Sequence, residues 1–193
     1  MESSTSIIFL FSLTLCLALQ PLVIVAVETQ NTTQNGAQQG SLLEKVCKQS
    51  TDEELCFSSF KKHPESSKTH DLTSLGMIAL NITSSNASSI LEYIEFLQKE
   101  SGLGPVVEQR LDDCTNNYMD ATEQLDDSVA GLMANSYKDV RVWVQVAITD
   151  AWTCENGYTK SSGKSSWVLT HYNNVFRKLC HNALLIIKLL EEK

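Results

Sequence analysis

Apolar residues repeated at helical spacing constrain the fold of this chain more than any other feature. From Pro105 to Ala134 they recur at alternating steps of four and three residues, the repeat of a helix that packs one face against a neighbour. Pro105 suits the first position of such a helix. The predicted seam comprises Val107, Leu111, Cys114, Tyr118, Ala121, Leu125, Ser128 and Leu132.

Three other segments repeat this pattern, at residues 71–100, 140–158 and 165–192. No strand-like alternation appears after Ser41. Four long amphipathic helices joined by short turns predict an all-α fold, an up-and-down four-helix bundle over residues 70–192. The three seams comprise Leu72, Leu75, Ala79, Ile82, Ile90, Ile94 and Leu97; Val140, Val144, Ala147, Ala151, Cys154 and Tyr158; and Val168, Tyr172, Val175, Leu179, Ala183, Ile186 and Leu190.

The N-terminal segment is apolar and, apart from Glu2, uncharged. We interpret residues 1–27 as a secretory signal peptide, which predicts a secreted, extracellular protein with no membrane segment after cleavage. A retained membrane anchor is the alternative, and Pro21 disfavours it because proline would interrupt a spanning helix. The polar residues 28–40 are predicted to form a disordered tail, followed by one domain over residues 41–193.

The charge of the mature chain excludes some partners. Removal of the leader leaves 22 acidic residues against 15 basic ones. Such a surface repels nucleic acid and anionic lipid and suits a basic protein partner. About 165 residues are enough for a single domain with its own core, and we expect a monomer.

Five cysteines remain after the leader is removed, an odd number that predicts two disulfides and one free thiol. In one straight helix the Cα atoms of Cys47 and Cys56 would lie about 13 Å apart, whereas a disulfide needs roughly 4.4–6.8 Å. The chain must therefore turn back, and a capping box that begins at Thr51 supplies the start of a second helix. Residues 41–64 are predicted to form a helical hairpin closed by this disulfide.

The second predicted disulfide joins Cys114 and Cys154. An antiparallel helix pair in symmetric register turns halfway between the residues that it brings together, and the halfway point here is Ala134. The polar pair Asn135-Ser136 follows directly and interrupts both seams. Cys180 falls beside the predicted seam of its helix and is left as the free thiol.

Residues that would carry catalysis or bind a metal are scarce. The four histidines are dispersed, the spacing of Cys47, Cys56, His63 and His70 fits no zinc site, and no Cys-x-x-Cys, Glu-x-x-His or Gly-x-Ser-x-Gly motif occurs. We therefore expect no enzyme activity, no cofactor and no metal. The tryptophans are either core residues or anchors of a protein interface; they are Trp143, Trp152 and Trp167.

Three Asn-x-Ser/Thr sequons, at Asn31, Asn81 and Asn86, are candidate glycosylation sites. On the first of the four long helices, residues 71–100, Asn81 lies opposite the seam and Asn86 near its centre. Asn81 is therefore the better predicted glycan site of these two.

Three motifs together resemble the plant invertase and pectin methylesterase inhibitor family, from Ser41 to the C-terminus. They are Cys-x3-Thr-x4-Cys from Cys47 to Cys56, Cys-x3-Tyr-x2-Ala from Cys114 to Ala121, and Ala-x-Thr-Asp-x3-Cys from Ala147 to Cys154. The resemblance implies a four-helix bundle preceded by a short helical hairpin, with the same two disulfides. It also implies an apoplastic or cell-wall protein that binds a carbohydrate enzyme one-to-one and blocks its active-site cleft.

The resemblance further indicates the residues that contact the enzyme. In the pectin methylesterase branch they are polar residues on the two middle helices, and here they fall on Asn116, Asn117, Asp120, Thr153 and Asn156. At Asn116 and Asn156 the family prefers acids, and a neutral amide loses the charge-assisted hydrogen bond. Each residue can also be read as part of a solvated helix face.

These observations leave three hypotheses about function. Some invertase inhibitors carry Pro-Lys-Phe between the middle helices, where this chain has Ser136-Tyr137-Lys138-Asp139, so pectin methylesterase is the favoured partner. A cell-wall or vacuolar acid invertase is the alternative. A third possibility is a carrier of a small apolar ligand, with a cavity lined by the polar middle of the first long helix, Thr83 to Ser89.

Overall fold

The structure is a computed structural model that describes residues 41–158 and 165–193. The predicted leader and tail, together with Asn31, lie outside the described residues. No β-strand occurs in the described part. A short 3-10 turn, Pro64–Ser67, accompanies six helices: α1 (Leu42–Cys47), α2 (Glu53–Phe60), α3 (Leu72–Gln98), α4 (Pro105–Met133), α5 (Tyr137–Tyr158) and α6 (Ser165–Glu191).

The long helices form the predicted up-and-down bundle. α3 packs against α4 and α6, and α5 packs against the same two helices, so α4 and α6 lie diagonally opposite each other. The predicted α4 seam is buried from Leu111 to Leu132, whereas Val107 is only half-buried. None of the helices in the described ranges is long and apolar enough to span a membrane.

Local interactions fix where the long helices begin and end. Asp71 caps α3 by accepting hydrogen bonds from the backbone N–H groups of Thr73 and Ser74. Asn135 has a φ of 58°, and the N–H of Ser136 donates to the carbonyl of Gly131 at 2.8 Å. These are the features of a Schellman motif, with asparagine in the left-handed conformation. The predicted break between the middle helices is therefore a defined C-terminal cap.

The predicted seam of α6 is wrong by one position over its first half. Val168, Tyr172 and Val175 are half-buried, and the buried stripe runs instead through Leu169, Asn173, Phe176 and Cys180. This shift by one position places Asn173 in the core, where its side-chain amide is hydrogen-bonded. Cys180 is consequently a fully buried member of the seam rather than its neighbour, and it is unpaired.

A polar residue is also buried in the middle of α3. Thr83 is fully buried, and its hydroxyl donates to the carbonyl of Ala79 at 2.8 Å. Ile82, which was predicted to lie in the seam, is only half-buried. Burying a threonine costs little free energy when its hydroxyl is hydrogen-bonded within its own helix. The spacing of apolar residues therefore predicted Ile82 at the core position that Thr83 occupies.

The N-terminal hairpin folds back as predicted, with a Cα–Cα distance of 5.4 Å between Cys47 and Cys56. Its second helix begins one residue later than expected, because Asp52 rather than Thr51 is the N-cap. The hairpin is tied to α6 by two contacts. Lys178 Nζ lies 2.8 Å from Asp52 Oδ2, and Ser50 Oγ donates to Asn182 Oδ1 at 2.6 Å.

Candidate functional site

The second disulfide fixes the geometry of the candidate site on α4 and α5. Cys114 and Cys154 are bonded with their Cα atoms 4.5 Å apart, and both are buried. Because the two helices are antiparallel, residues that flank one cysteine lie beside residues that flank the other. Polar side chains from both helices therefore meet at the surface above the bond.

A surface hollow of about 540 Å³ lies at this place. It contains four of the five residues for which enzyme contact was predicted, while the fifth, Asp120, is exposed outside it. The sequence analysis had named these residues only through the resemblance to a family. The hollow is lined by Arg110, Asp113, Asn116, Asn117, Thr153, Cys154, Asn156 and Gly157.

Hydrogen bonds within the helices hold two of these side chains in place. Asn117 Nδ2 donates to the carbonyl of Asp113 at 2.7 Å, and Thr153 Oγ1 donates to the carbonyl of Thr149 at 2.9 Å. The threonine hydroxyl hydrogen is thereby used inside the protein, so Thr153 offers a partner its oxygen lone pairs. Asn116 and Asn156 are exposed and supply amide donors and acceptors at the rim.

Arg110 is a site residue that the sequence analysis missed. Its Nη1 lies 3.3 Å from Asp113 Oδ2, and its Nε is buried without a hydrogen-bond partner among the described residues. Across the hollow, Gly157 leaves open the space above the arginine stem: a Cβ there would lie 3.6 Å from Arg110 Cδ. Arg110 is the only basic residue of α4, which is the signal in the sequence that could have identified it.

Asp120 faces a second aspartate, Asp150 on α5. Burial, and secondarily the negative charge of Asp120, raise the pKa of Asp150 to about 6. Its Oδ2 is buried and has no hydrogen-bond partner among the described residues. Asp150 lies one helical turn before Thr153 on α5. The pair Asp120 and Asp150 therefore extends the polar surface beyond the hollow.

The electrostatic character of this surface comes mainly from α4. Seven carboxylates and one guanidinium lie on this helix of 29 residues. An acidic face of this kind attracts a basic partner and speeds its association. The acids are Glu108, Asp112, Asp113, Asp120, Glu123, Asp126 and Asp127.

Groups suited to covalent or metal chemistry are not assembled here. Within residues 41–158 and 165–193, no three His, Cys, Asp or Glu side chains are placed to hold a metal ion. Burial raises the pKa of the Cys180 thiol and that of the Tyr118 hydroxyl. Both groups therefore stay protonated in the core, and neither of them lines the hollow.

The tryptophans of the described residues differ in exposure. Trp143 packs half-buried against the core. Trp152 is 49% exposed, and the guanidinium of Arg177 lies 4.1 Å from the centre of its ring. Arg177 is also paired with Glu155 at 3.0 Å. Trp152 is thus a rigid exposed aromatic beside Thr153, and the side chain of Trp167 lies outside the described residues.

The candidate glycosylation sites differ in their surroundings. Asn81 is exposed on α3. Asn86 is half-buried and lines a groove of about 350 Å³ between α2, α3 and α6, with its Oδ1 enclosed. Occupancy at each sequon stays a prediction, with Asn81 still the better site.

The fold and the site define a class of protein: a disulfide-linked four-helix bundle with an acidic, polar surface on its two middle helices. Residues 41–186 match the model of the family described as plant invertase/pectin methylesterase inhibitor, and the chain belongs to that family. The family consists of enzyme inhibitors, so this protein is an inhibitor and not an enzyme.

Individual relatives agree with this assignment. A provisionally named invertase inhibitor from Platanus acerifolia is 31% identical over 137 residues, which are 71% of this chain and 75% of the relative. The pectinesterase inhibitor of Actinidia deliciosa is 23% identical over 137 residues, 71% and 73% of the two chains. The crystal structure of a mutant pectin methylesterase inhibitor from Arabidopsis has the same fold, with a TM-score of 0.65, 20% identity, and coverage of 77% and 97%.

Proposed function

We propose that this protein is a secreted inhibitor of plant pectin methylesterase, which it binds one-to-one as a monomer in the apoplast or cell wall. One observation carries the proposal. Asn116, Asn117, Thr153 and Asn156, four residues at positions where the resemblance implies enzyme contact, line a single hollow. The disulfide beneath them holds the two helices in register, so the surface is formed before the enzyme arrives.

The inhibitor would then act by covering the active-site cleft of the enzyme, without forming or breaking any covalent bond. A rigid helix face laid across the active-site cleft excludes the substrate, and little conformational entropy is lost because both helices are already ordered. The acidic α4 face complements a basic rim on the enzyme. The amides and the threonine supply directional hydrogen bonds that neutral groups can make without a large desolvation cost.

An acid invertase is the second candidate target. The 31% identical Platanus proteins carry the invertase inhibitor name, whereas relatives named pectinesterase inhibitors match at 23–27% identity. Against this target, the turn Ser136-Tyr137-Lys138-Asp139 lacks the Pro-Lys-Phe sequence of some invertase inhibitors. The ranking is therefore decided by experiment.

The third candidate, a carrier of a small apolar ligand, is the least favoured. The polar middle of α3 contributes Ser85, Asn86 and Ser89 to the groove that it shares with α2 and α6. Lys62 and His63 also line this groove. A lining so rich in hydroxyl and charged groups suits an apolar ligand poorly.

The test is a parallel titration of the purified protein against a plant pectin methylesterase and an acid invertase. We expect the esterase to lose activity with an end point at one inhibitor per enzyme, and the invertase to be unaffected. Inhibition of the invertase alone would reverse the ranking of targets. If neither enzyme slowed at micromolar inhibitor, both proposed targets would be wrong. Displacement of an apolar dye would then support the third candidate.

A further inference from the structure

Trp152 is a large aromatic residue that the core of the bundle leaves exposed. It lies on α5 with 49% of its surface open to solvent, whereas Trp143 on the same helix packs against the core. Leaving a ring of this size in water is unfavourable for folding. Tryptophan is enriched at protein interfaces, where it supplies much of the binding energy. The exposure of Trp152 therefore points to a contact outside the chain.

Contacts with Arg177 hold the ring of Trp152 in place. The guanidinium of Arg177 lies 4.1 Å from the centre of the ring, and its Nη1 lies 3.0 Å from Oε2 of Glu155. The side chains of Arg177 and Glu155 are each only 14% exposed, so this pair presents little charge at the surface. One face of the ring is covered by the guanidinium, and the rest of the ring is presented in a fixed orientation. A partner that bound the ring would therefore lose little side-chain entropy.

Trp152 also lies close to the hollow that the proposed function assigns to the enzyme. It directly precedes Thr153, and Asn156 follows one turn later, about 6 Å along the helix axis and about 40° around it. Both of these residues line the hollow. A standard protein interface covers about 800 Å² of each partner, equivalent to a disc of about 16 Å radius, whereas a helix is only about 10 Å wide. An interface centred on the hollow therefore reaches the ring of Trp152.

We infer that Trp152 is a specificity-determining contact of the inhibitor, and that its exposed ring enters an apolar pocket on the surface of the bound enzyme. This inference rests on the proposed function, because it places the esterase over the hollow. It adds an apolar contact to a surface that is otherwise acidic and polar. The enzyme surface must then combine a basic region that faces α4 with an apolar region that faces the outer side of α5.

A purely structural role for Trp152 predicts different behaviour. In that case the ring would serve only to cover Arg177 and its pair with Glu155, a cation–π arrangement that stabilises the junction of α5 and α6. Replacing the ring with alanine would then lower the melting temperature and leave the affinity of the folded protein for the enzyme unchanged. Under the inference, the same substitution weakens binding even where the variant is fully folded.

The experiment compares Trp152→Ala and Trp152→Phe with the wild type for binding to pectin methylesterase. Isothermal titration calorimetry is done at a temperature where circular dichroism shows all of the proteins folded. We expect Trp152→Ala to bind at least about 30-fold more weakly, the effect of losing an interface hot spot. Trp152→Phe keeps part of the apolar surface, and we expect its affinity to lie between the other two. The matched control is Phe57→Ala, expected to bind within about twofold of the wild type, because Phe57 is exposed on α2, which packs against α3 and α6.

A second measurement reports on the contact itself without truncating the side chain. Labelling with 5-fluorotryptophan gives one fluorine NMR signal for each tryptophan, and Trp152→Phe identifies the signal of Trp152 by its loss. Trp143→Phe identifies the signal of Trp143 in the same way. We expect the signal of Trp152 to shift when unlabelled esterase is added, because the ring moves from solvent into an apolar pocket. The signal of Trp143, whose ring packs against the core, is expected to stay in place.

Two kinds of result would overturn the inference, and they differ from each other. If the wild type binds the esterase while Trp152→Ala binds equally well, or while the fluorine signal of Trp152 is unmoved in the complex, the contact is wrong and the proposed function stands. If titration of the wild type against the esterase gives no binding, the proposed function is wrong, and this contact fails with it.

Discussion

Tyr118 on α4 donates its hydroxyl hydrogen to Asn173 Oδ1 on α6 at 2.7 Å, with both side chains buried at the centre of the bundle. The two helices are diagonally opposite, so this bond spans the core. Asn173 Nδ2 lies 3.9 Å from Cys154 Sγ, and the ring of Phe176 meets Tyr118 edge-on with centroids 5.3 Å apart. A polar contact therefore joins the disulfide, the core and the last helix.

Removing the hydroxyl group of Tyr118 should destabilise the bundle. In Tyr118→Phe, Asn173 would keep a buried carbonyl with no donor, and we expect the free energy of unfolding to fall by about 1–3 kcal/mol. Urea denaturation of this variant measures the loss. Tyr172→Phe is the control, because Tyr172 is half-buried beside Tyr93. Equal stability of Tyr118→Phe and wild type would show that the bond contributes nothing.

The two disulfides should differ in what they contribute. Chain-entropy estimates give about 2.7 kcal/mol for the loop from Cys47 to Cys56 and about 3.9 kcal/mol for the loop from Cys114 to Cys154. We therefore expect the double substitution Cys114→Ala/Cys154→Ala to lower the midpoint of urea unfolding more than Cys47→Ala/Cys56→Ala does. The opposite order would mean that docking of the hairpin onto α6, rather than loop entropy, dominates.

The carboxyl of Asp150 should make stability depend on pH. Its pKa is about 6 in the folded protein, against about 3.9 in an unfolded chain. The folded state therefore binds more protons between these values, and the contribution of Asp150 to stability falls as the pH rises from 4 to 6. We expect Asp150→Asn to gain about 1 kcal/mol over the wild type at pH 7.5, a figure reduced for partial exposure.

The measurement is urea unfolding of both proteins at pH 4 and pH 7.5, with Asp139→Asn, exposed at the start of α5, as the control. Only the difference between wild type and variant matters, since other carboxyls titrate in both. A gain for Asp150→Asn that is the same at the two pH values would refute the assignment of this titration to Asp150.

The acidic α4 face should act on the rate of association with a basic enzyme. Charges separated by more than about 10 Å are largely screened at 0.1 M salt. We therefore expect the on-rate with pectin methylesterase to fall severalfold between 20 mM and 500 mM sodium chloride, with a smaller change in the off-rate. Surface plasmon resonance separates the two rates. Equal on-rates would remove electrostatic steering and leave occlusion intact.

Much of the fold follows from the sequence because its determinants are local or periodic. The seam from Leu111 to Leu132 and the break at Asn135 follow from residue spacing, and the break fixes which cysteines meet. The register of α6 does not follow, because Asn173 is buried only by virtue of the hydroxyl that Tyr118 supplies from another helix. Within α6 the apolar stripe through Leu169, Phe176 and Cys180 is interrupted at Asn173, so the spacing of apolar residues alone favours the neighbouring stripe.

The candidate site was predictable in part, through the resemblance to a family. Helix register places Asn117 and Thr153 close together, but the hollow between them depends on a missing side chain at Gly157 and on the direction taken by Arg110. Both are properties of the packed pair of helices. The resemblance to a family indicated contact positions, and it gave no reason to include the arginine.

The central claim is that the hollow above Cys114 and Cys154 receives the enzyme, and filling it tests this most directly. In Gly157→Leu the new side chain would occupy the space above Arg110, and we expect inhibition of pectin methylesterase to weaken at least tenfold. Ala130→Leu, at an exposed position near the far end of α4, is the control, and circular dichroism checks that both variants fold. An inhibition constant for Gly157→Leu equal to that of the wild type would contradict the account.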